Sequence, residues 1–504
     1  MSYKKCFDTP IITSKPLLEK RLLHQNNWLV SFLFVLFLFM PRQSITAEAP
    51  ELPSLGLAST YDISLNQETL LGQGWLRQFR SQSKLYDDPL TQEYTEHLIQ
   101  RLATWNRHLE NKSLDVVLVD QRQLNAFAVP GGVVGINTGL FTFAPFEDEF
   151  ASVVAHELAH ISQRHFARRV QASQDIQWKT MAGLLAGVLV ASQGHADAGI
   201  AAIAGTQAAV IQNQLAWSRG YEQEADRIGM ETLVAAGYAA EAMPEMFNRM
   251  QRIASLSGRP PEFLLTHPLT ESRIADAQAR ADQQAIKKPR ITGRDYEMIR
   301  VRVIFSQYAN SDDAYSLFSR QQSSSQSLRY AKALRAKATG DVATSLELLT
   351  TLADQDPSWL LPQYLLAEAF VKEQHWEGAA KVLDDLLLYA PSYYPALQLQ
   401  ADIFRQQQAW DKARLILQQL SQSRPKDPVV WFQLAEAAGK VDAQIQLHRA
   451  RAEYFQLNGR FRQAFQQLDL AQEQARLQNQ PWAVQSSIRE RRRELESLRS
   501  LMDM

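Results

Sequence analysis

Val153 to His165 reads VVAHELAHISQRH, and His156, Glu157 and His160 within it form H-E-x-x-H. On an α-helix, residues four apart share one face, ~6 Å apart along the axis. Two imidazoles so placed can close on one zinc ion. Glu157, next to the first of them, points at a water held by that ion and can take its proton. Helix start signals agree: Pro145 precedes the run, and Glu147, Asp148 and Glu149 fill its first turn, where the helix dipole favours anions.

A catalytic zinc takes three protein ligands and one water, so a third ligand has to come from elsewhere. The candidate segment is Tyr221 to Gly229, YEQEADRIG. Glu222 and Asp226 lie four apart on a predicted helix; Glu222 can ligate, and Asp226 can accept a hydrogen bond from a ligand imidazole and fix its tautomer. Glu224 is the rival ligand inside the segment, although at two positions from Asp226 it faces elsewhere. Between the two motifs lie apolar, small-residue runs at 181–192 and 199–210. Twelve residues cannot span a bilayer, so residues 181–211 read as a lid, a contact with a membrane surface, or a buried hairpin. His165 and His195 have no ligand spacing and read as structural.

Further outward, residues 61–110 read as helix, with Leu98, Leu102, Trp105 and Leu109 on one face. Residues 114–119 (LDVVLV) read as a buried strand, and 126–141 as a strand pair broken by a turn at Pro130-Gly131-Gly132. Helical periodicity holds from Glu147 to Ala285, interrupted by a loop at 258–261. A looser connection, Lys287-Lys288-Pro289 and Thr292-Gly293, marks a boundary. From about residue 328 the chain repeats every 34 residues. Prolines fall at 357, 391 and 425, and Val342, Trp376 and Trp410 align. So do Leu349, Leu383 and Leu417, Leu352, Leu386 and Leu420, and Ala333, Ala367 and Ala401. A helix pair every 34 residues is the tetratricopeptide (TPR) pattern, which stacks into a solenoid. Beyond 430 the phase slips, and Phe461 to Phe465 reads as the second helix of an irregular last unit. The expected organisation is a targeting segment (1–47), a zinc-site catalytic domain (48–290), a connecting helical segment (291–327) and TPR repeats (328–504). The fold class is mainly α, a helical zincin-like domain with a small β-sheet followed by an α-solenoid.

Composition excludes much else. The 504 residues are 45% hydrophobic and 21% charged, with a net charge of −1 and one cysteine. That rules out wholesale disorder, a disulfide scaffold and a Cys-rich metal module, and it offers no basic field for nucleic acid. The basic start, the apolar run Trp28 to Met40 and the small residues Ala47 and Ala49 fit a secretory signal cleaved near Ala47/Glu48, with an uncleaved anchor as the alternative. Residues 1–47 hold six cations, two anions and the lone cysteine, so their removal leaves a cysteine-free chain of net charge −5. Such a chain suits an oxidising compartment such as a bacterial periplasm.

H-E-x-x-H followed by a helix carrying E-x-x-x-D resembles the gluzincin family that includes the CAAX prenyl protease and heat-shock protein X. That resemblance implies His156, His160 and Glu222 as zinc ligands, Glu157 as general base and Asp226 as the partner of a ligand histidine. Thr266 to Arg273 (THPLTESR) matches the family's H-P-x-x-x-x-R segment. By resemblance, His267 caps the metal in a latent enzyme and Arg273 lies near enough to stabilise an oxyanion. The same likeness implies one zinc per chain, protein substrates, and outer-membrane β-barrel proteins and their assembly machinery as partners of the TPR array. It places the protein in the periplasm of a Gram-negative bacterium.

Overall fold

A computed structural model describes residues 63–109, 112–172, 208–258, 260–284, 293–321 and 323–502. The expected targeting segment and nearly all of the 181–211 runs lie outside the described residues.

The span 61–110 is two helices rather than one: α1 (Leu65–Gln82) and α2 (Pro89–Thr104). Between them the chain is extended, and Leu85 makes an antiparallel bridge to Val119. The break is written in Asp88-Pro89. The Asp88 carboxylate accepts from Thr91 N at 3.1 Å as an N-cap, and Pro89 occupies the first turn, where no N–H is needed. A three-stranded sheet follows: β1 (Asp115–Val119), β2 (Ala126–Val129) and β3 (Val133–Asn137), in the order β1-β3-β2. β2 pairs antiparallel with β3, and β1 parallel with it. The turn between β2 and β3 needs its glycines. Gly131 and Gly132 have φ of +82° and +95°, and a Cβ on Gly131 would lie 2.5 Å from the Glu68 carbonyl oxygen.

Short α3 (Thr138–Phe143) leads into α4 (Glu147–Ser162), which carries H-E-x-x-H and is buried along nearly its whole length. α5 (His165–Ala172) turns back from it, and α6 (Ala208–Ala235) brings Glu222 and Asp226. α4 and α6 pack closely because Gly229 has no side chain; a Cβ there would stand 3.1 Å from His156 N and Cα. α7 (Ala242–Ser257), α8 (Glu262–Thr266) and α9 (Glu271–Asp282) complete the walls, and α10 (Arg294–Gln307) and α11 (Ser311–Ser319) fill the connecting segment.

Five helix pairs follow among the described residues: α12/α13 (Ser325–Ala338, Val342–Asp354), α14/α15 (Leu360–Lys372, Trp376–Tyr389), α16/α17 (Tyr394–Gln406, Trp410–Ser423), α18/α19 (Pro428–Lys440, Gln444–Leu457) and α20/α21 (Phe461–Leu477, Trp482–Met502). The 34-residue step therefore continues past 430, because Gln444 opens α19 where Trp410 opens α17. Phe461 begins the first helix of the fifth pair, not a second helix. The sequence hides this because polar Gln444 stands where Val342, Trp376 and Trp410 mark the earlier units. The backbone keeps the period: Gly340, Gln374, Gln408 and Asp442 all have positive φ, each in the turn inside its pair. Ala333, Ala367 and Ala401 are buried where helices cross, as are Leu352, Leu386 and Leu420.

The repeats are built onto the peptidase half. One apolar cluster runs from Leu90 on α2 through Tyr296 and Ile304 on α10 to Ile403 on α16. Arg302 bridges Asp88 and Glu368 with Nη2–O distances of 2.7 Å to each, and Arg424 reaches Glu93 at 3.1 Å and Glu96 at 2.5 Å. No helix among the described residues is long and apolar enough to cross a membrane.

Candidate metal centre

His156 and His160 project from one face of α4, and Glu222 faces them from α6. Nε2 of His156 lies 3.1 Å from Nε2 of His160 and 3.3 Å from a Glu222 oxygen. Nε2 of His160 lies 3.5 Å from the other Glu222 oxygen. His267, following α8, adds a fourth atom: its Nδ1 is 3.1 Å from both Glu222 oxygens and 3.4 Å from His156 Nε2. One atom from each of these four side chains lies within 4.8 Å of the other three.

These separations can be tested against a metal. A tetrahedral ion with bonds of ~2.0–2.1 Å has vertices ~3.3–3.4 Å apart. The contacts among His156, His160 and Glu222, and those of His267 to His156 and Glu222, run from 3.1 to 3.5 Å, close to those edges, and all four donors lie within 4.8 Å of one another, so the side chains present suit a small ion with nitrogen and oxygen ligands. Nδ1 of His156 lies 3.0 Å from Asp226 Oδ1, a pairing that would keep a proton on Nδ1 when Nε2 gives up its own to a ligated cation.

The carboxylates are held by one cation. Arg273 Nε and Nη2 donate to Asp226 Oδ2 and Oδ1, both at 2.7 Å. Its Nη1 donates to the Pro268 carbonyl at 2.8 Å and lies 3.1 Å from Glu222 Oε2. Arg273 is 2% exposed, so it is not the helix-surface cation its sequence context suggests. Thr270 caps α9 by accepting from Arg273 N at 3.3 Å, and this sets the residue's place in the first turn.

Burial favours neutral carboxyls, yet His267, His156 and His160 hold Glu222 well below the usual carboxylate range. Burial likewise opposes charge on His156, but Asp226 and Glu222 raise its pKa to about 9. A bound cation would displace that proton. Burial drives His160 well down, so its ring stays neutral. Glu157 is different. It is 1% exposed, neither oxygen has a hydrogen bond of normal geometry, and burial pushes its pKa up. His267 Nε2 lies 3.4 Å from Glu157 Oε1.

Glu224 does not share the ligand cluster. It stands on the other side of His160, paired to His165 at 3.2 Å and Arg168 at 2.7 Å. His165 itself touches His160, Nδ1 to Nδ1, at 2.8 Å. Spacing gives no sign of this contact, because His165 follows His160 by five residues and meets it only through a break in the helix. His195 lies outside the described residues.

A buried helix bearing H-E-x-x-H, crossed by a second helix bearing a facing glutamate, defines a metallopeptidase. Comparison with known proteins gives the family. Residues 89–281 match Peptidase family M48. A protein of Escherichia coli K12, the beta-barrel assembly-enhancing protease, is 31% identical over 440 residues, covering 85% of this chain and 88% of that one. Its Yersinia pestis counterpart is 31% identical over 82% of this chain and 85% of that one. A putative beta-barrel assembly-enhancing protease of Vibrio cholerae is 36% identical over 316 residues; that match covers 61% of this chain and spans 64% of the Vibrio protein. The chain belongs to peptidase family M48.

Proposed function

We propose that this is a zinc endopeptidase of the bacterial periplasm that removes misassembled outer-membrane β-barrel proteins, with its TPR array docking clients and assembly partners. The observation that carries the peptidase reading is the convergence of His156, His160 and Glu222 beside the buried carboxylate of Glu157. Bound there, zinc would polarise the scissile carbonyl and acidify the attacking water. The protein's own groups do the rest. Glu157 takes a proton at a carboxylate oxygen and returns it to the leaving amine. Asp226 fixes the His156 tautomer. Arg273 holds Asp226 and Glu222 in place and spends its donors doing so, which favours a positioning role over oxyanion stabilisation. β2 is an edge strand in contact with α4, suited to pairing with an extended substrate. The client class and the compartment are carried over from the relatives' names and the amino-terminal sequence. Docking is supported by the five-pair solenoid, which leaves a cavity of about 900 Å³ lined by Arg414, Trp431, Arg449 and Glu490 among others.

Purified protein should hold one zinc per chain and cleave an unfolded polypeptide. A chelator should stop cleavage and added zinc restore it; cleavage indifferent to chelation would remove the proposal.

His267 favours a latent form. It occupies the fourth position of the cluster, sits against Glu157, and is stacked on Phe263 at 4.6 Å with 25° between the rings. An imidazole there excludes both water and substrate carbonyl. We expect His267→Ala to raise cleavage of an unfolded substrate several-fold while zinc content stays unchanged. Reduced cleavage with zinc retained would show that His267 assists the reaction instead of latching it.

A further inference from the structure

If His160 is a metal ligand through Nε2, that nitrogen must be bare, and its ring proton then sits on Nδ1 and needs an acceptor. For His156 the acceptor is the Asp226 carboxylate. For His160 the neighbour at Nδ1 is another imidazole, that of His165, at 2.8 Å. Two Nδ1 atoms can share a hydrogen bond only when one of them is bare. His165 must therefore carry its proton on Nε2, and at Nε2 the Glu224 carboxylate stands ready to accept it at 3.2 Å. Glu224 is anchored in turn by Arg168, whose Nη1 donates to the same oxygen at 2.7 Å. The Tyr221 ring stacks on His165 at 4.7 Å with 27° between planes, fixing the imidazole's orientation.

We propose that His165 and Glu224 form a positioning relay that sets the tautomer and aim of the ligand His160. The inference rests on the metallopeptidase reading and extends it. With the other tautomer of His165, two N–H groups would oppose each other, and His160 would have to turn or give up the lone pair that the metal needs.

The backbone is shaped to make this contact. In a continuous helix, residue 165 would lie about 140° around the axis from residue 160. α4 instead ends at Ser162, and Arg164 takes a left-handed conformation, φ +52°, which swings His165 back onto His160. A non-glycine residue there is strained and persists only when its surroundings hold it. Arg164 is held by Glu68 at 3.2 Å and by the Ile63 carbonyl at 2.6 Å. Tyr221 and Glu224 lie on the helix that also supplies Glu222, so one element presents both the third ligand and the far end of the relay.

The test compares His165→Phe, His165→Asn and Glu224→Gln with the wild-type protein. Zinc affinity is measured by chelator competition, and ligand geometry by the absorption spectrum of the cobalt-substituted protein. Phe keeps the ring packing and removes the acceptor; Asn places an oxygen where Nδ1 was. His165→Phe should weaken zinc binding ~10–100-fold and shift the cobalt spectrum. His165→Asn should stay near wild type in both, and Glu224→Gln should fall between. Wild-type affinity in His165→Phe, or equal loss in the Phe and Asn variants, would overturn the relay. Glu222→Ala is the control that separates the two claims. If it binds zinc like wild type, the metal centre itself is wrong. If it loses zinc while His165→Phe does not, only the relay is.

Discussion

Glu157→Gln is expected to leave zinc bound and the fold intact while proteolysis falls ~10²–10⁴-fold. The amide has the carboxylate's shape but cannot take up a proton. None of the converging donors of His156, His160 and Glu222 is altered. The surroundings of Glu157 explain why the effect should be large. Burial raises its pKa against the pull of His267 and His156, which makes the carboxylate a better base. The Ala128 backbone and His267 offset only part of that burial. The same burial is a cost to the folded state, since a buried carboxylate without a full set of partners is unfavourable. The metal-free variant should therefore unfold no earlier than metal-free wild type, a trade of stability for activity common at active sites. Peptidase assay, metal analysis and thermal unfolding of both forms check the three statements together. Cleavage by Glu157→Gln at the wild-type rate would remove Glu157 from the reaction.

What could be read in the sequence follows how local the determinants are. His156, Glu157 and His160 sit within one and a half turns of a single helix, so their spacing alone places them on a face. Glu222 and Asp226 are legible by the same rule, once a partner motif gives them a purpose. The mutual approach of the two helices is not legible, because it depends on Gly229 meeting the His156 backbone 73 residues away in sequence. The His165 contact is invisible for a related reason. It depends on a left-handed Arg164, and nothing in the residue type announces that conformation. The repeats are readable while a large apolar residue (Val342, Trp376, Trp410) and a proline mark each unit. Where Gln444 takes the place of the large apolar residue, the pattern vanishes from the side chains and survives in the positive φ of Asp442. Residues 61–110 failed differently: apolar periodicity outvoted Asp88-Pro89, a local stop-and-restart signal that the fold obeyed.

Arg273→Ala should destabilise the metal-free protein by ~3–5 kcal/mol, the typical cost of leaving buried charge unpaired. The side chain is 2% exposed, as is Glu222, and its three nitrogens engage Asp226, Glu222 and the Pro268 carbonyl. Removing it leaves two buried carboxylates with histidines as their remaining partners: His156 for Asp226, and His156, His160 and His267 for Glu222. One must then protonate or draw in water, and either response disturbs a ligand: Asp226 holds the His156 tautomer, and Glu222 belongs to the cluster. Zinc affinity should consequently fall along with stability. Arg273→Lys should recover only part of both, because an ammonium keeps the charge but cannot form the two parallel bonds to Asp226. A double variant, Arg273→Ala with Asp226→Asn, should be less destabilised than the sum of its parts, since the charge that Arg273→Ala strands is already absent. Denaturant unfolding with and without zinc measures each term. An Arg273→Ala protein as stable as wild type in the metal-free state would mean that the two carboxylates find compensation elsewhere, and that the guanidinium is not what holds the site together.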